Sequence, residues 1–278
     1  MIIMPHPYGR MCNRLLVAAN FIAHAEEYGD SFLYLGFGRY FRFFESTRHA
    51  PFLYFRSTRP RKDRGRRLFA TLNIWNTVDK NEGYFDMNQP AFLDLERATR
   101  FLFLIGWSFR NGEMLERHRD VVRQRFVLAP RHRDAVSRVI GAARQGADHL
   151  VGIHIRQTDY KNYLNGKYYN PPEAYRRIMR DIQAQLSGHT RFLVCSDSPV
   201  DRAFFSGLDI VTSSGHPVED NYALAACDWI AGPPSSYSAW ASFIGGTPLF
   251  FIEAAPPADS DGGAPAAPLS AFKARTRL

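Results

Sequence analysis

From about residue 150 onward, short apolar runs of strand length alternate with segments whose apolar positions recur at helical spacing. Residues 150–155, 192–195, 209–212, 229–231 and 249–252 read as strands. Helices are predicted between them: after Pro171-Pro172, where proline suits the first turn, after Pro199, over 218–227, and from Ser235 onward. Strict alternation of strand and helix implies parallel βαβ units wound into one sheet.

The first half follows the same logic less regularly. Residues 2–4 form a short apolar run, and 11–28 carry Leu15, Leu16, Ala19, Ile22 and Ala23 on a helical stripe that stops before Gly29. Strands are expected at 31–37 and 101–107, and helices at 112–126 and 131–144. Residues 41–79 are aromatic and basic with no clear period, and receive no element. The Ala/Pro/Gly/Asp-rich stretch 254–267 predicts a flexible tail. The expected organisation is therefore an α/β domain over 1–148, a Rossmann-like domain over 149–253, and a flexible tail over 254–278.

Composition adds two constraints. With 278 residues, 45% of them hydrophobic, the chain can bury a substantial core. Its formal charge of +8 would suggest anionic partners, but between residues 56 and 67 lie Arg56, Arg59, Arg61, Lys62, Arg64, Arg66 and Arg67 against the single acid Asp63. That net +6 leaves about +2 for the rest, so the global charge says little about the main function. No nucleic-acid module accompanies the stretch. A solvated loop, an acceptor-side patch or a peripheral contact with an anionic membrane are its favoured readings, with nucleic-acid binding as the alternative.

Cys12, Cys195 and Cys227 are widely spaced in apolar surroundings, which predicts buried thiols rather than disulfides or a zinc site. Neither a signal peptide nor a membrane span is visible, so a cytoplasmic location is expected, with peripheral contact at the inner membrane face as the variant.

Three segments carry the candidate chemistry. In Val151-Gly152-Ile153-His154-Ile155-Arg156-Gln157-Thr158-Asp159-Tyr160, a strand delivers His-x-Arg-x-x-Asp into a loop. Ligands of open α/β sheets bind where strands end, and a guanidinium there can grip two oxygens of an anion. The alternative is an Arg156–Asp159 pair that only pins the loop. A second strand ends in Ser196-Asp197, placed to meet a ribose or base, or to cap the next helix. The third segment begins at Asp220 and runs through Gly232-Pro233-Pro234-Ser235-Ser236-Tyr237-Ser238-Ala239-Trp240. A Gly-Pro-Pro turn opening a helix with two serines aims backbone N–H groups outward, an arrangement that serves both capping and anion binding.

Taken in order, these segments and the loop Gly9-Arg10-Met11-Cys12-Asn13-Arg14-Leu15 resemble the α1,2-/α1,6-fucosyltransferase and protein O-fucosyltransferase superfamily, most of all its α1,2 (GT11-like) branch. The resemblance spans residues 9 to 240. It implies a GT-B fold, two Rossmann-like domains facing a cleft, and inverting, metal-independent transfer of fucose from GDP-fucose to a glycan hydroxyl. GDP-fucose is then a substrate and no cofactor is implied. Arg156 would hold the β-phosphate, with His154 lining the donor pocket and Asp159 acting as base or orienting the arginine. Asn13 and Arg14 would lie on the N-terminal loop facing the diphosphate. Ser196 and Asp197 would meet the ribose or base and Asp220 the guanine end. Ser235 and Ser236 would meet the phosphates and fucose, with Tyr237 a further substrate-binding candidate beside them.

The chain departs from the family pattern at three places. Gln157-Thr158 follows Arg156 where a second arginine is usual, Cys12 replaces a glycine, and Ala239 replaces the first tryptophan of the last motif. Transfer from another nucleotide sugar, or binding of a nucleotide or glycan without turnover, are the alternatives. Asp259-Ser260-Asp261 has metal-binding spacing but lies in the tail, so no metal site is expected.

Overall fold

The computed structural model describes residues 1–60, 75–80, 83–253 and 267–275. Its compact units are Met1–Pro130 and Arg131–Arg275. The division falls one helix earlier than the sequence pattern suggests. Helix α5 (Pro130–Arg144) belongs to the second unit because Val136, Val139 and Ile140 pack on that unit's core.

In the first unit, β1 (Ile2–Met4) leads through a loop into α1 (Met11–Tyr28), which is buried over most of its length and ends at Gly29 with φ 70°. Next come β2 (Ser31–Tyr34), a 3-10 segment (Leu35–Phe43), β3 (Leu53–Arg56), β4 (Trp75–Asp79), β5 (Phe85–Asp86), α2 (Pro90–Ala98), β6 (Phe101–Ile105), β7 (Phe109–Arg110), α3 (Gly112–Arg117) and α4 (Arg119–Arg125). The main sheet runs β3-β2-β1-β6-β4, parallel except for β3. Aromatic packing fills it, with Phe21 stacked on Phe32 at 4.8 Å.

Three expectations change here. The strand predicted over 31–37 ends at Tyr34, where the chain turns into 3-10 structure. The helix predicted over 112–126 breaks at His118, whose backbone leaves helical geometry while its buried ring bonds Glu27 at 2.7 Å. Residues 41–79, given no element above, supply β3 and β4.

The second unit carries β8 (His149–Ile155), α6 (Pro172–Gln185), β9 (Thr190–Ser196), β10 (Asp209–Thr212), α7 (Pro217–Ala225), β11 (Trp229–Gly232), α8 (Ser236–Gly245) and β12 (Leu249–Phe251). The sheet is fully parallel in the order β10-β9-β8-β11-β12. The pleat sorts its side chains between two cores. Val151, Ile153 and Ile155 face α6 residues Tyr175, Ile178, Met179 and Ile182. Leu150, Leu193 and Ile230 face Leu224, Cys227 and Ala241 on the opposite side.

Two more expectations change. No helix follows Pro199; residues 202–207 form turns, held by Asp201 accepting from the Ala203 N–H and closed at Gly207. The tail is not flexible throughout. Ala267 and Phe272 are buried in the α6-side core and Lys273 exchanges backbone bonds with Leu249, whereas residues 254–266 lie outside the described residues.

All three cysteines are buried and none is joined in a disulfide. Of the basic stretch, Arg56 and Arg59 are described, and Arg59 pairs with Glu26 at 3.0 Å; the remainder falls outside the described residues. Among the described residues, no helix is long and apolar enough to cross a membrane.

At Gly152 the sheet lies directly against Leu224 of α7 and Cys227 just beyond it. A Cβ there would stand 2.8 Å from a Leu224 methyl and 3.2 Å from the Cys227 sulfur. Gly152→Val should therefore destabilise the protein by ~1–3 kcal/mol through overpacking. Urea unfolding should show a lower midpoint at an unchanged slope.

Candidate functional site

The strand order creates a reversal point. From β8 the chain proceeds outward through β9 to β10, then returns to place β11 on the other side of β8. The loops leaving β8 and β11 diverge there, opening the crevice where ligands of doubly wound sheets bind. Both loops carry the residues singled out by sequence.

Arg156 is the first residue beyond β8. Its Nε and Nη2 donate to the two oxygens of Asp159 at 2.8 and 2.6 Å, a bidentate grip that fixes the plane of the guanidinium. The same group lies over the Tyr160 ring, 4.2 Å from its centroid. Burial is the largest single influence and opposes its charge, but the bond to Asp159 together with the charges of Tyr160, Asp159 and Asp197 outweighs it, and the guanidinium pKa rises. The cation is therefore permanent and half-shielded. Asp159 engages two of its five N–H groups.

The second loop is joined to the first. The Tyr160 hydroxyl donates to the Pro234 carbonyl at 2.9 Å, inside the Gly-Pro-Pro turn. Ser235 caps α8, its Oγ accepting from the Ser238 N–H at 3.1 Å. Ser236 opens the helix, half-buried, and its hydroxyl has no hydrogen-bond partner among the described residues. A permanent cation thus lies on one loop, tied through Tyr160 to a second loop that presents a helix N-terminus and a hydroxyl. The helix end adds partial positive charge.

Beneath them, His154 is 6% exposed and its Nδ1 lies 2.8 Å from Ser238 Oγ. Ser238 Oγ also sits 3.2 Å from the Pro233 carbonyl, a contact only the hydroxyl proton can satisfy. Ser238 therefore donates to Pro233 and accepts from His154 Nδ1–H, which leaves Nε2 with its lone pair. Burial, reinforced by the positive Arg156, pushes the His154 pKa down to about 3. Gly232 makes this contact possible, since a Cβ there would come within 2.8 Å of His154 Cβ and 2.9 Å of Ser238 Oγ.

The flanking residues have largely local partners. Asp197 accepts from the Gln157 N–H at 2.8 Å and from the Thr158 hydroxyl at 2.5 Å, so its carboxylate anchors the loop that carries Arg156. Ser196 accepts from the Ser198 N–H at 3.1 Å. With no helix after Pro199, neither residue is a helix cap. Asp220, in the first turn of α7, accepts from the Ser214 hydroxyl and Gly215 N–H, both at 3.2 Å. Burial raises its pKa, and these bonds with that from Ser213 hold the rise in check. The Tyr237 ring packs 4.7 Å from His154, and its hydroxyl donates to the Pro217 carbonyl at 2.9 Å.

In the first unit, Arg14 donates to the carbonyls of Gly9, Gly36 and Phe37 at 3.1–3.2 Å and so braces two loops. Asn13 sits under Gly9, where a Cβ would fall 2.2 Å from its amide nitrogen. Sequence reasoning named neither Tyr160 nor Ser238 as a site residue. Tyr160 directly follows the His-x-Arg-x-x-Asp pattern, and Ser238 lies at i+3 from the capping serine, but neither pattern marks a contact between loops.

The depressed pKa of His154 has a consequence for stability. Unfolded, the ring titrates near 6.5; folded, it stays neutral down to about 3. Its contribution is therefore complete above pH 6.5 and is lost as pH falls toward 3. The wild type should lose ~1.4 kcal/mol per pH unit below 6.5 relative to His154→Asn, whose amide can replace the Nδ1–H donor. Denaturant titrations of both proteins at pH 7, 6 and 5 measure this difference.

No protein-family model and no curated protein sequence matches the chain, but solved structures do in fold. A mutant of Arabidopsis thaliana FUT1 in complex with GDP is 12% identical, covering 98% of this chain and 73% of that chain with a TM-score of 0.59. The apo form of POFUT1 is 10% identical, covering 90% and 97% with a TM-score of 0.58. POFUT1 in complex with GDP-fucose is 9% identical, covering 96% and 97% with a TM-score of 0.54. At these identities the likeness is one of architecture: the chain has the α/β fold with parallel sheets of these GT-B structures.

Proposed function

We propose that the protein is an inverting, metal-independent glycosyltransferase that moves fucose from GDP-fucose to a glycan hydroxyl. The observation that carries this reading is the Arg156 guanidinium at the sheet's reversal point, joined through Tyr160 to the turn that opens α8. The fold neighbours include POFUT1 bound to GDP-fucose, and the motifs of this chain resemble those of the same superfamily in the same order.

Departure of a nucleoside diphosphate leaves negative charge on the β-phosphate as the bond to the sugar breaks. Arg156 and the N–H groups at the start of α8 supply the stabilisation that another transferase would draw from a metal ion. A charge-assisted contact of this kind is worth about 1.5–3 kcal/mol, more where charge develops in a half-shielded site. Asp159 positions Arg156: both its oxygens accept from the guanidinium, so in this state it is not a free base. His154, neutral with a lone pair at Nε2, is a hydrogen-bond acceptor for a sugar or ribose hydroxyl, and Ser236 a donor to a phosphate oxygen. The acceptor is a hydroxyl of a glycan, with an anionic membrane surface as a second partner for the 56–67 stretch.

Gln157 and Thr158 are tied to Asp197, so the loop offers no second cation directly after Arg156. This favours comparing donors rather than assuming fucose. Release of GDP from GDP-fucose in EDTA, without acceptor, should be slow but measurable and should fall at least 100-fold in Arg156→Ala. Release from UDP- or ADP-sugars instead would replace the donor. No turnover of any nucleotide sugar, with GDP still bound, would leave a binding protein in place of an enzyme.

A further inference from the structure

We infer that His132, His216 and Glu219 form a divalent-metal site of zinc type between the starts of α5 and α7 in the second unit. His132 lies in the first turn of α5, His216 directly precedes α7, and Glu219 is in the first turn of α7. Residues 84 and 87 positions apart in sequence thus bring two imidazoles and a carboxylate together. One ligand atom from each lies within 4.8 Å of the others. His132 Nδ1 is 2.7 Å from Glu219 Oε1, His216 Nδ1 is 4.0 Å from the same oxygen, and the two rings stand 4.9 Å apart.

A tetrahedral ion with bonds of ~2.0–2.1 Å sets its ligands roughly 3.3 Å apart. The shorter separation must open and the longer one close, each by about 0.7 Å on that basis. His216 and Glu219 retain 35% and 17% side-chain exposure, so both can adjust, although the His216 Nδ1 itself is buried. His132, at 5%, is the rigid member. The second carboxylate oxygen of Glu219 accepts from Ser214 at 3.3 Å, the kind of outer contact that orients a ligand. Two nitrogens and one oxygen suit zinc or a neighbouring transition metal, whereas magnesium and calcium favour oxygen-only shells.

Arg131 donates from Nε to His132 Nε2 at 3.0 Å, so the metal-free imidazole carries its proton on Nδ1, toward Glu219. Metal binding at Nδ1 moves that proton to Nε2, and the exposed Arg131 side chain turns into solvent. An ordinary ion pair at a helix start explains His132 with Glu219, but not the second imidazole brought beside them. Three protein ligands leave a position for water or an incoming group. A bound ion would clamp the start of α5 to the loop before α7, the loop that holds Asp220. The inference does not depend on the proposed donor site and calls for no metal there.

Calorimetric titration of zinc chloride into the EDTA-stripped, dialysed full chain at pH 7.5 tests it. One ion should bind per chain at micromolar affinity or tighter, raise the melting temperature, and show no competition from millimolar magnesium. His216→Ala and Glu219→Gln should each weaken binding at least 50-fold and abolish the melting shift while keeping the metal-free melting temperature near that of the wild type. Cobalt substitution gives a second readout, a visible absorption band of a four-coordinate ion that the variants lack. Absence of stoichiometric binding by the wild type, or equal binding by both variants, would overturn the site.

Discussion

A guanidinium held at the carboxyl edge of a parallel sheet organises the second unit. Free in solution, an arginine side chain samples many rotamers and is well hydrated, so its attraction for an anion is weak. Here Asp159 fixes its plane, Tyr160 covers one face, and Asp197 ties down the loop that carries it. Much of the ordering entropy is met in folding, before any ligand arrives. The neutralising carboxylate does not consume the cation, because an arginine fork has more donors than one carboxylate can use.

Below that cation, the structure resolves an electrostatic conflict. A second positive charge at His154 would be buried and would repel Arg156, costs that the carboxylates of Asp197 and Asp159 only partly offset. The ring is held neutral by burial, and its Nδ1–H goes to Ser238, whose own proton goes to Pro233. This chain of donors and acceptors links β8 to the turn opening α8. Tyr160 makes a parallel link one layer higher. The two loops that form the crevice therefore share their supports, and a change in either is felt by the other. Gly232 allows this closeness where any side chain would intrude.

Much of this was legible in the sequence. The apolar run of β8 and the helical spacing of α1 reproduce themselves in space because both elements are buried over most of their length. Strict βαβ alternation announces the parallel sheet, whereas the switch of its strand order at β8 is seen only in the structure. Less legible were features that depend on partners distant in sequence. His118 breaks a helix to reach Glu27 some 90 residues away, and β3 and β4 emerge from a stretch with no period because sheet pairing, not local pattern, defines them. Asp197 offered the spacing of a cap or a ribose ligand, and its actual partners lie 39–40 residues upstream. The His132–His216–Glu219 cluster was invisible for the same reason: no local motif joins an α5 residue to the start of α7.

The central claim is that Arg156 makes this crevice a diphosphate site without help from a metal. Calorimetric titration of GDP into the full chain in EDTA, for the wild type and Arg156→Ala, tests it most directly. The account predicts micromolar binding by the wild type and a loss of tenfold or more in the variant, ~1.4 kcal/mol at least. Failure of the wild type to bind GDP, or equal affinity in the two proteins, would contradict it.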